Sequence, residues 1–407
     1  MNKILLKYFP DTTSKLAFLL ALFPTCSIIG FLHFPPVLYY LCLFVLWLYG
    51  IFRRTIVINP VMLLVILSAI LSILWGNPPS FFLSWERLGL FIFSTAILSP
   101  LVQTYSLMKI RSIAFKWLLY FSVAIAVLSF PCYFIGINYM VSTIRSISND
   151  ATGWFGGLTI NSMLLGPISS IASSYLLWIY LKYKTSLKTL QKFFLLLALF
   201  ASICSLLLTA SRGSFIAMLV GLFSVLYLFY RHNISGFLRT ILTILLLLLI
   251  CFPIYQPYTK GLVEKQEANI TTGGTFSSRV DKWDNRIAEF KQSPLFGVGF
   301  ASVDPKNTKD YDGKSIEPGS SWLAIFSMTG MLGGCTIVCL LLYYYYYLYQ
   351  LSEDFNYSLY LALLNVFIVH MMTEGYIFSA GNYLFFYFWL LIGTISSLKI
   401  RDNEKEL

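Results

Sequence analysis

The sequence is poor in charged residues. Asp, Glu, Lys and Arg make up 12% of its 407 residues, whereas 57% are hydrophobic. Soluble globular domains carry about a quarter charged residues, which form the surface that water contacts. This composition therefore excludes a soluble domain and predicts an integral membrane protein.

Cysteine and histidine are also scarce. The seven cysteines form no CxxC pair and lie in or beside apolar stretches, and the three histidines (His33, His232 and His370) are scattered along the chain. A disulfide framework or a zinc site needs clustered ligands, so neither is expected to organise this protein. The cysteines are interpreted as small apolar helix residues.

Long apolar stretches recur along the whole chain, each of about 17 to 25 residues and thus long enough to cross a bilayer as a helix. About twelve transmembrane helices are predicted. Their approximate cores are Leu16–Leu32, Val37–Phe52, Pro60–Trp75, Leu88–Tyr105, Ile113–Ile135, Ile160–Tyr180, Phe193–Thr209, Ser214–Tyr230, Phe237–Tyr255, Trp322–Tyr349, Tyr357–Met372 and Tyr383–Leu398. A cleavable signal peptide is not expected, because the first stretch is one of many and lacks a clear cleavage site.

The distribution of basic residues predicts the orientation. With the amino terminus in the cytoplasm, 17 of the 29 Lys and Arg fall in short inner segments. The short outer connections hold three arginines, Arg87, Arg145 and Arg212. By the positive-inside rule both termini are cytoplasmic, and the net charge of +11 reflects inner loops facing anionic lipid and not a nucleic-acid partner.

This pattern divides the chain into four parts. Residues 1–255 hold nine transmembrane helices, residues 256–319 form one long extracytoplasmic loop, residues 320–398 hold three more helices and residues 399–407 form a cytoplasmic tail. Loops of this length usually carry function. Within the loop, FSSRVDKWDNRIAEFKQSP predicts an amphipathic helix that begins at Ser277 or Ser278 and stops before Pro294.

The two faces of this helix differ in chemistry. Val280, Trp283, Ile287 and Phe290 form an apolar stripe, and a polar face carries, among others, Arg279 and Arg286. We expect the helix to lie on the outer leaflet or on the tops of the spans, with its guanidinium groups toward the interface. A helix with an ordinary solvated face is the alternative.

Arginines at the outer membrane edge are candidate phosphate ligands, because a planar guanidinium binds phosphate oxygens bidentately and several together neutralise a diphosphate without a metal. The candidates are Arg212, Arg279, Arg286 and Arg87. The alternatives are that Arg212 snorkels to fix a helix end and that Arg87 pairs with the neighbouring Glu86.

A second group of candidates lies where the loop returns to the bilayer, in IEPGSSWLAIFSMTGMLGG. Glu317 is interpreted as a general base for a sugar hydroxyl, or alternatively as a solvated loop acid. The Asp310–Tyr311–Asp312 pair resembles the metal-binding pair of nucleotide-sugar transferases, but it lies in a loop rich in glycine and lysine. No metal or other cofactor is predicted.

Three phrases then occur in a characteristic order, namely TASRG at 209–213, SSRVDKW to LFGVG at 277–299, and PGSSWLAIFSMTGMLG at 318–333. Together they resemble the O-antigen ligase and Wzy-type polymerase superfamily. The closing motif of that family is His, then Asn, Ser or Gln, nine residues, and Gly-x-x-Gly. Ser320, Gly330 and Gly333 fit this spacing, but Gly319 occupies the histidine position, which favours a polymerase over a ligase.

The resemblance implies a GT-C-like helical bundle in a bacterial inner membrane, with an extracytoplasmic active face and inverting, metal-independent glycosyl transfer. Donor and acceptor would be glycans linked to undecaprenyl diphosphate, and a chain-length regulator would be a further partner. By position, Arg212 and Arg279 would hold the diphosphate, with Arg87 as a weaker candidate. Glu317 would act on the acceptor, and Ser320, Ser321 and Arg286 would line its path.

Two alternative functions remain open. A ligase that transfers finished glycan to lipid A-core or to a protein shares nearly every feature. A transporter of polysaccharide precursors would also need many spans and buried arginines, but the halves of the sequence show no internal repeat. In addition, the polar residues concentrate at one membrane face and not at its midplane.

Overall fold

The fold is almost entirely helical. The computed structural model describes residues 11–32, 34–51, 56–140, 155–271, 277–304, 306 and 316–406. The α-helices in these ranges are α1 (Thr12–Ile28), α2 (Val37–Ile51), α3 (Pro60–Gly76), α4 (Ser84–Leu98), α5 (Tyr105–Ile135), α6 (Ser162–Lys182), α7 (Thr189–Leu208), α8 (Arg212–Phe229), α9 (Ile234–Ile250), α10 (Phe252–Thr271), α11 (Ser277–Gln292), α12 (Ser321–Leu351), α13 (Phe355–His370) and α14 (Tyr383–Glu406). Two short antiparallel strands, β1 (Val57–Ile58) and β2 (Val102–Gln103), pair ahead of α3 and α5.

Each predicted apolar stretch overlaps a helix, namely α1 to α9 and α12 to α14. Among the described residues, six helices are long and apolar enough to cross a membrane, or seven if the bent pair of α9 and α10 is one span. Five others are apolar but have 10–17 residues (Thr12–Ile28, Val37–Tyr49, Pro60–Gly76, Phe355–His370 and Tyr383–Leu398). The protein is therefore a helical multi-pass membrane protein, and the count of twelve spans stays a prediction.

Some predicted boundaries were wrong. The fourth stretch was placed at Leu88–Tyr105, whereas α4 ends at Leu98, ahead of Pro100, and α5 already begins at Tyr105. Proline cannot continue a helix and disfavours the helical conformation of the residue before it. Arg111 therefore lies inside α5 and not in a connection between two helices.

Helix α14 forms the centre of the bundle. Every residue from Tyr383 to Leu398 is buried, and the helix packs against α1, α4, α5, α12 and α13. A helix that is apolar on all sides is stable when other helices surround it. This core positions the ends of the surrounding helices, where the polar residues of interest lie.

The buried Arg111 caps the carboxyl end of α4. Its guanidinium donates to the carbonyl oxygens of Ile97 at 2.6 Å, Val102 at 2.7 Å and Ala96 at 3.2 Å. The last carbonyls of a helix have no partner within the helix, and the helix dipole favours a cation there. Gly393 of α14 permits this packing, because a Cβ at that position would overlap Leu98 O.

Helix α12 is broken at Gly330, which adopts a left-handed φ of 62°. Residues 294–298 run beside the break. Val298 N–H donates to Ser327 O at 2.9 Å, and Met331 N–H donates to Pro294 O at 2.8 Å. A Cβ on Gly330 would overlap Leu295 O, and one on Gly333 would overlap Thr329 Oγ1. Gly330 thus permits the close approach of the loop to α12, and Gly333 permits close packing around Thr329 and against Ser68 of α3.

The segment that follows Gln256, predicted to be a long extracytoplasmic loop, begins within a helix, since α10 extends from Phe252 to Thr271 and contains Pro257. The amphipathic helix is present as α11, yet its orientation is not the expected one. Arg286 and Glu289 are buried as an ion pair of 2.7 Å, while Val280 and Ile287 are exposed. The residues Arg145, Asp310, Asp312 and His33 lie outside the described ranges.

We predict that Arg111→Leu destabilises the protein by about 2–4 kcal/mol, because it leaves buried carbonyl groups without their donors. The measurement is thermal unfolding of the full chain in detergent. Lys116→Leu is the matched control, since Lys116 lies on the same helix and is exposed. Equal melting temperatures for the two variants would contradict the capping role.

Candidate functional site

The candidate site is organised around residues 371–376, named here the 371–376 turn, which follows α13. Thr373 packs on Gly213 at the start of α8, since a Cβ on Gly213 would overlap Thr373 Oγ1. Gly375 packs on Pro318 in the same way. The turn therefore joins two segments that are more than a hundred residues apart in sequence, TASRG and PGSS.

Ser320 and Ser321 anchor the 371–376 turn to the start of α12. Ser321 N–H lies 2.9 Å from both Met371 O and Glu374 O. Its hydroxyl donates to Glu374 O at 2.7 Å and accepts from Tyr376 N–H at 3.0 Å. Ser320 caps α12 and donates to Met371 O at 3.2 Å. Both serines are buried. Their contacts indicate a positioning role, where the sequence suggested lining of an acceptor path.

Arg279 of α11 binds this anchored turn. Its Nη2 donates to Glu374 Oε1 in an ion pair, and its Nη1 donates to Gly319 O at 3.3 Å. Trp283 Nε1, one helical turn away, donates to the same carbonyl at 3.2 Å. Gly319 has a φ of +72°, a conformation that glycine adopts without strain. Gly319, at the histidine position of the closing motif, therefore contributes its backbone carbonyl to these contacts.

The carboxyl of Glu374 has an unusual environment. Burial raises its pKa, and the charge of Arg279 and their hydrogen bond oppose that rise. The nearby charges of Glu317 and Lys282 act in opposite directions, Glu317 raising the pKa and Lys282 lowering it. Arg279 and Glu374 are thus a mutually dependent pair, since removal of either leaves the other charge poorly solvated.

Arg212 starts α8 beside this pair. The hydroxyl of Ser211 and that of Ser214 lie 2.8 Å apart in the first turn of that helix, and Ser214 N–H donates to Ser211 Oγ. Arg212 Nη1 donates to Gln266 Oε1 at 2.8 Å. Gly213, the next residue, packs on Thr373, and Thr373 is the neighbour of the Arg279-bound Glu374. The structure therefore brings together the two arginines that the sequence selected from different segments.

Glu317 lies at the rim of this group. Its Oε2 is 2.5 Å from Lys282 Nζ, and 59% of its side chain is exposed. Unlike Glu374, it is accessible from outside. Lys282 directly precedes Trp283 on α11. Its contact with Glu317 therefore holds the carboxylate beside the Arg279–Gly319 contact.

Two predicted residues lie apart from this group. Arg286 is fully buried in its ion pair with Glu289, whose carboxylate also accepts from Asp304 N–H at 2.8 Å. That pair fixes the segment after α11, and the expected exposure of Arg286 was wrong. Arg87 lies half-buried in the first turn of α4, a helix that packs on α2, α3 and α14.

Sequence reasoning missed four residues of the site, Glu374, His370, Lys265 and Gln266. His370 is buried at the end of α13, and its Nε2 is 3.2 Å from Ser214 Oγ. Lys265 Nζ is 3.5 Å from Ala210 O, beside the Arg212 turn. One signal was available, because Glu374 is an isolated acid immediately after a long apolar stretch. Such residues usually face a partner or a cavity.

A comparison with protein families gives one match. Residues 194–338 match the family described as O-Antigen ligase. This range contains α8, α10 and α11 and the break in α12, and it ends before the 371–376 turn. The resemblance drawn from the three phrases is therefore confirmed for this part of the chain. No curated protein matches the sequence.

We predict that Gly213→Ala displaces Thr373 and with it Glu374. Overpacking of this kind costs about 1–3 kcal/mol, and we expect it to lower glycan output at least tenfold while the protein still inserts in the membrane. The measurement is the surface glycan of a complemented deletion strain. Gly89→Ala is the control, because a Cβ on Gly89 meets nothing within 4 Å. Similar output from both variants would contradict the turn's role.

Proposed function

We propose that this protein is a glycosyltransferase that polymerises oligosaccharide repeat units carried on undecaprenyl diphosphate. The product would be O-antigen, capsular polysaccharide or exopolysaccharide, made at the outer face of a bacterial inner membrane. The observation that carries the proposal is that the 371–376 turn contacts both arginine segments, because Gly213, next to Arg212, packs on Thr373 and Arg279 pairs with Glu374. It draws further support from the O-antigen ligase family match over residues 194–338.

The donor's diphosphate would bind between Arg212 and Arg279. Guanidinium groups offer paired donors that match phosphate oxygens, and Arg212 also lies at the positive end of the α8 dipole. When the glycosidic bond to the carrier breaks, charge develops on the leaving diphosphate. Two fixed cations stabilise that charge more than they stabilise the donor's ground state, which is the requirement for catalysis.

The acceptor hydroxyl would approach from the side of Glu317. This carboxylate is exposed and held by Lys282, so it is available to accept the proton of an attacking sugar hydroxyl. Attack by the hydroxyl oxygen on the anomeric carbon forms the new glycosidic bond, and the carrier leaves as its diphosphate. Inversion at that carbon follows from a single displacement, and the chemistry described needs no metal ion.

Glu374 has a different task in this proposal. Because it is bound to Arg279 and anchored through Ser321, it positions the guanidinium and limits its rotation. Ser320 and Gly319 hold the same segment. Ser320 and Ser321, expected to bind substrate, would thus act by holding the 371–376 turn. Arg87 and Arg286 are not assigned to donor binding.

The polymerase is favoured over the ligase by the residue at position 319. Ligases of the family that the chain resembles carry a histidine at this position, and that histidine activates the acceptor. This chain has glycine there in a left-handed conformation. A side chain would meet Lys282 Cβ at 3.0 Å. A ligase remains the second candidate because of the family match itself. A lipid-linked diphosphate, and for the polymerase a chain-length regulator, would be the partners.

We predict that Arg212→Lys and Arg279→Lys each lower polymer formation at least a hundredfold, since lysine cannot supply the bidentate contact. The measurement is the size ladder of surface glycan in a deletion strain that expresses each variant. Arg231→Lys is the matched control, because Arg231 lies at the far end of α8, over the Tyr349 ring. Full polymer from the Arg212→Lys, Arg279→Lys double variant would contradict the proposed site.

The deletion strain itself separates the two candidate functions. A polymerase defect leaves single repeats on the surface and abolishes the ladder. A ligase defect accumulates long glycan on undecaprenyl diphosphate with none attached to its final acceptor. The second result would contradict the polymerase function and support a ligase, which is also a glycan-transferring enzyme.

We predict different effects for the two carboxylates. Glu317→Gln should lower turnover by about a hundredfold or more, as loss of a general base does, with donor affinity unchanged. Glu374→Gln should instead weaken donor binding, because Arg279 loses its orienting partner. The measurements are glycosyl transfer and donor affinity of the purified protein. Unchanged turnover in Glu317→Gln would remove Glu317 from the mechanism.

A further inference from the structure

We infer that Lys265 of α10 is a third cation of the donor site and makes it selective for a lipid-linked diphosphate over a monophosphate. This inference rests on the proposed function and deepens it. Neither the three motif phrases nor the arginines selected from the sequence include this lysine. It comes from a helix that the sequence did not predict.

Helix α10 reaches the site with two neighbouring residues. Lys265 Nζ lies 3.5 Å from Ala210 O, and Gln266 Oε1 accepts from Arg212 Nη1 at 2.8 Å. Ala210 and Arg212 belong to the same short connection between α7 and α8. Lys265 and Gln266 therefore both contact this connection, and Gln266 fixes the direction of the Arg212 guanidinium.

The placement of Lys265 differs from that of the other charges on its helix. Glu264 and Glu267 are exposed, and Glu264 lies 3.6 Å from Lys260 Nζ in a surface pair whose lysine is 68% exposed. Lys265, by contrast, is half-buried and turned toward the α7–α8 connection. Lys265 thus lies beside Ala210, two residues before Arg212, while the next residue of α10, Gln266, binds the Arg212 guanidinium.

Three cations gathered in this way repel one another. Lys265 contacts Ala210 and Gln266 binds Arg212, Gly213 packs on Thr373, and the neighbouring Glu374 is the acid bound to Arg279. Bringing like charges together at a partly buried position costs free energy, and a bound anion removes that cost. An anion that extends over two phosphate groups would contact all three cations. A single phosphate spans less of the group and would leave one cation without its contact.

The expected consequence is a dependence of binding on the second phosphate. Lys265 would bind oxygens of the diphosphate that Arg212 and Arg279 do not reach, and would add to the charge stabilisation when the carrier leaves. Arginine at 265 keeps the charge, whereas glutamine keeps the approximate length and removes the charge. These two variants separate the electrostatic role from a packing role.

The test measures affinity of the purified full chain in detergent for undecaprenyl diphosphate and for undecaprenyl monophosphate, with inorganic pyrophosphate as competitor. We expect Lys265→Gln to weaken diphosphate binding about tenfold or more, the effect of one charged contact, and to change monophosphate binding less than threefold. Lys265→Arg should stay within about threefold of wild type, since the charge is kept. Lys260→Gln is the matched control on the same helix and should leave both affinities unchanged.

The competitor separates the two sources of a diphosphate. Displacement of the lipid by pyrophosphate, weakened in Lys265→Gln, supports recognition of the headgroup itself. Wild-type diphosphate affinity in Lys265→Gln, with a loss in Arg212→Ala, overturns the role of Lys265 and retains the donor site. Unchanged affinity in both variants overturns the donor site as well. Equal losses for diphosphate and monophosphate overturn the selectivity, and melting curves of each variant verify that it is folded.

Discussion

The ion pair between Arg279 and Glu374 is the contact on which the candidate site depends. Arg279 comes from a helix of the long loop, and Glu374 from a turn between two of the last helices. Neither charge is stable alone at a partly buried position, so the pair fixes the loop onto the bundle. Because Thr373 and Gly375 contact the segments at Gly213 and Pro318, the same turn determines where Arg212 and Glu317 lie. Three motif phrases that are distant in sequence thereby form one site.

Small residues make this assembly possible. A Cβ would overlap a neighbouring atom at Gly213, Gly375 and Gly330. Gly213 packs on Thr373 of the 371–376 turn, and Gly375 of that turn packs on Pro318. Serines supply the remaining fixation through hydroxyl and backbone hydrogen bonds, as Ser321 does for Glu374. Around these contacts the buried helix α14 provides a rigid centre. The charged residues of the candidate site are thus held by the ends of helices in an apolar scaffold.

Sequence reasoning was most successful where hydrophobic length and motif spacing decide the structure. The apolar stretches overlapped the helices, and the amphipathic helix was found as α11. The site roles of Arg212 and Arg279 stay predictions. Sequence reasoning was wrong where tertiary contacts override local pattern, since Arg286 is buried because Glu289 pairs with it. Glu374 and Lys265 were missed because their partners lie far away in sequence, and no periodicity records such contacts. The polar character of α10 concealed a helix that carries Lys265 and Gln266.

In the proposed donor complex, one diphosphate lies between Arg212 and Arg279. The most direct measurement is a cryo-electron microscopy structure of the full chain in a lipid nanodisc with undecaprenyl diphosphate bound. We expect phosphate density within hydrogen-bonding distance of both guanidinium groups, with the Arg279–Glu374 contact retained. Density for the diphosphate elsewhere in the bundle, or side chains of the two arginines directed away from each other in the complex, would contradict it.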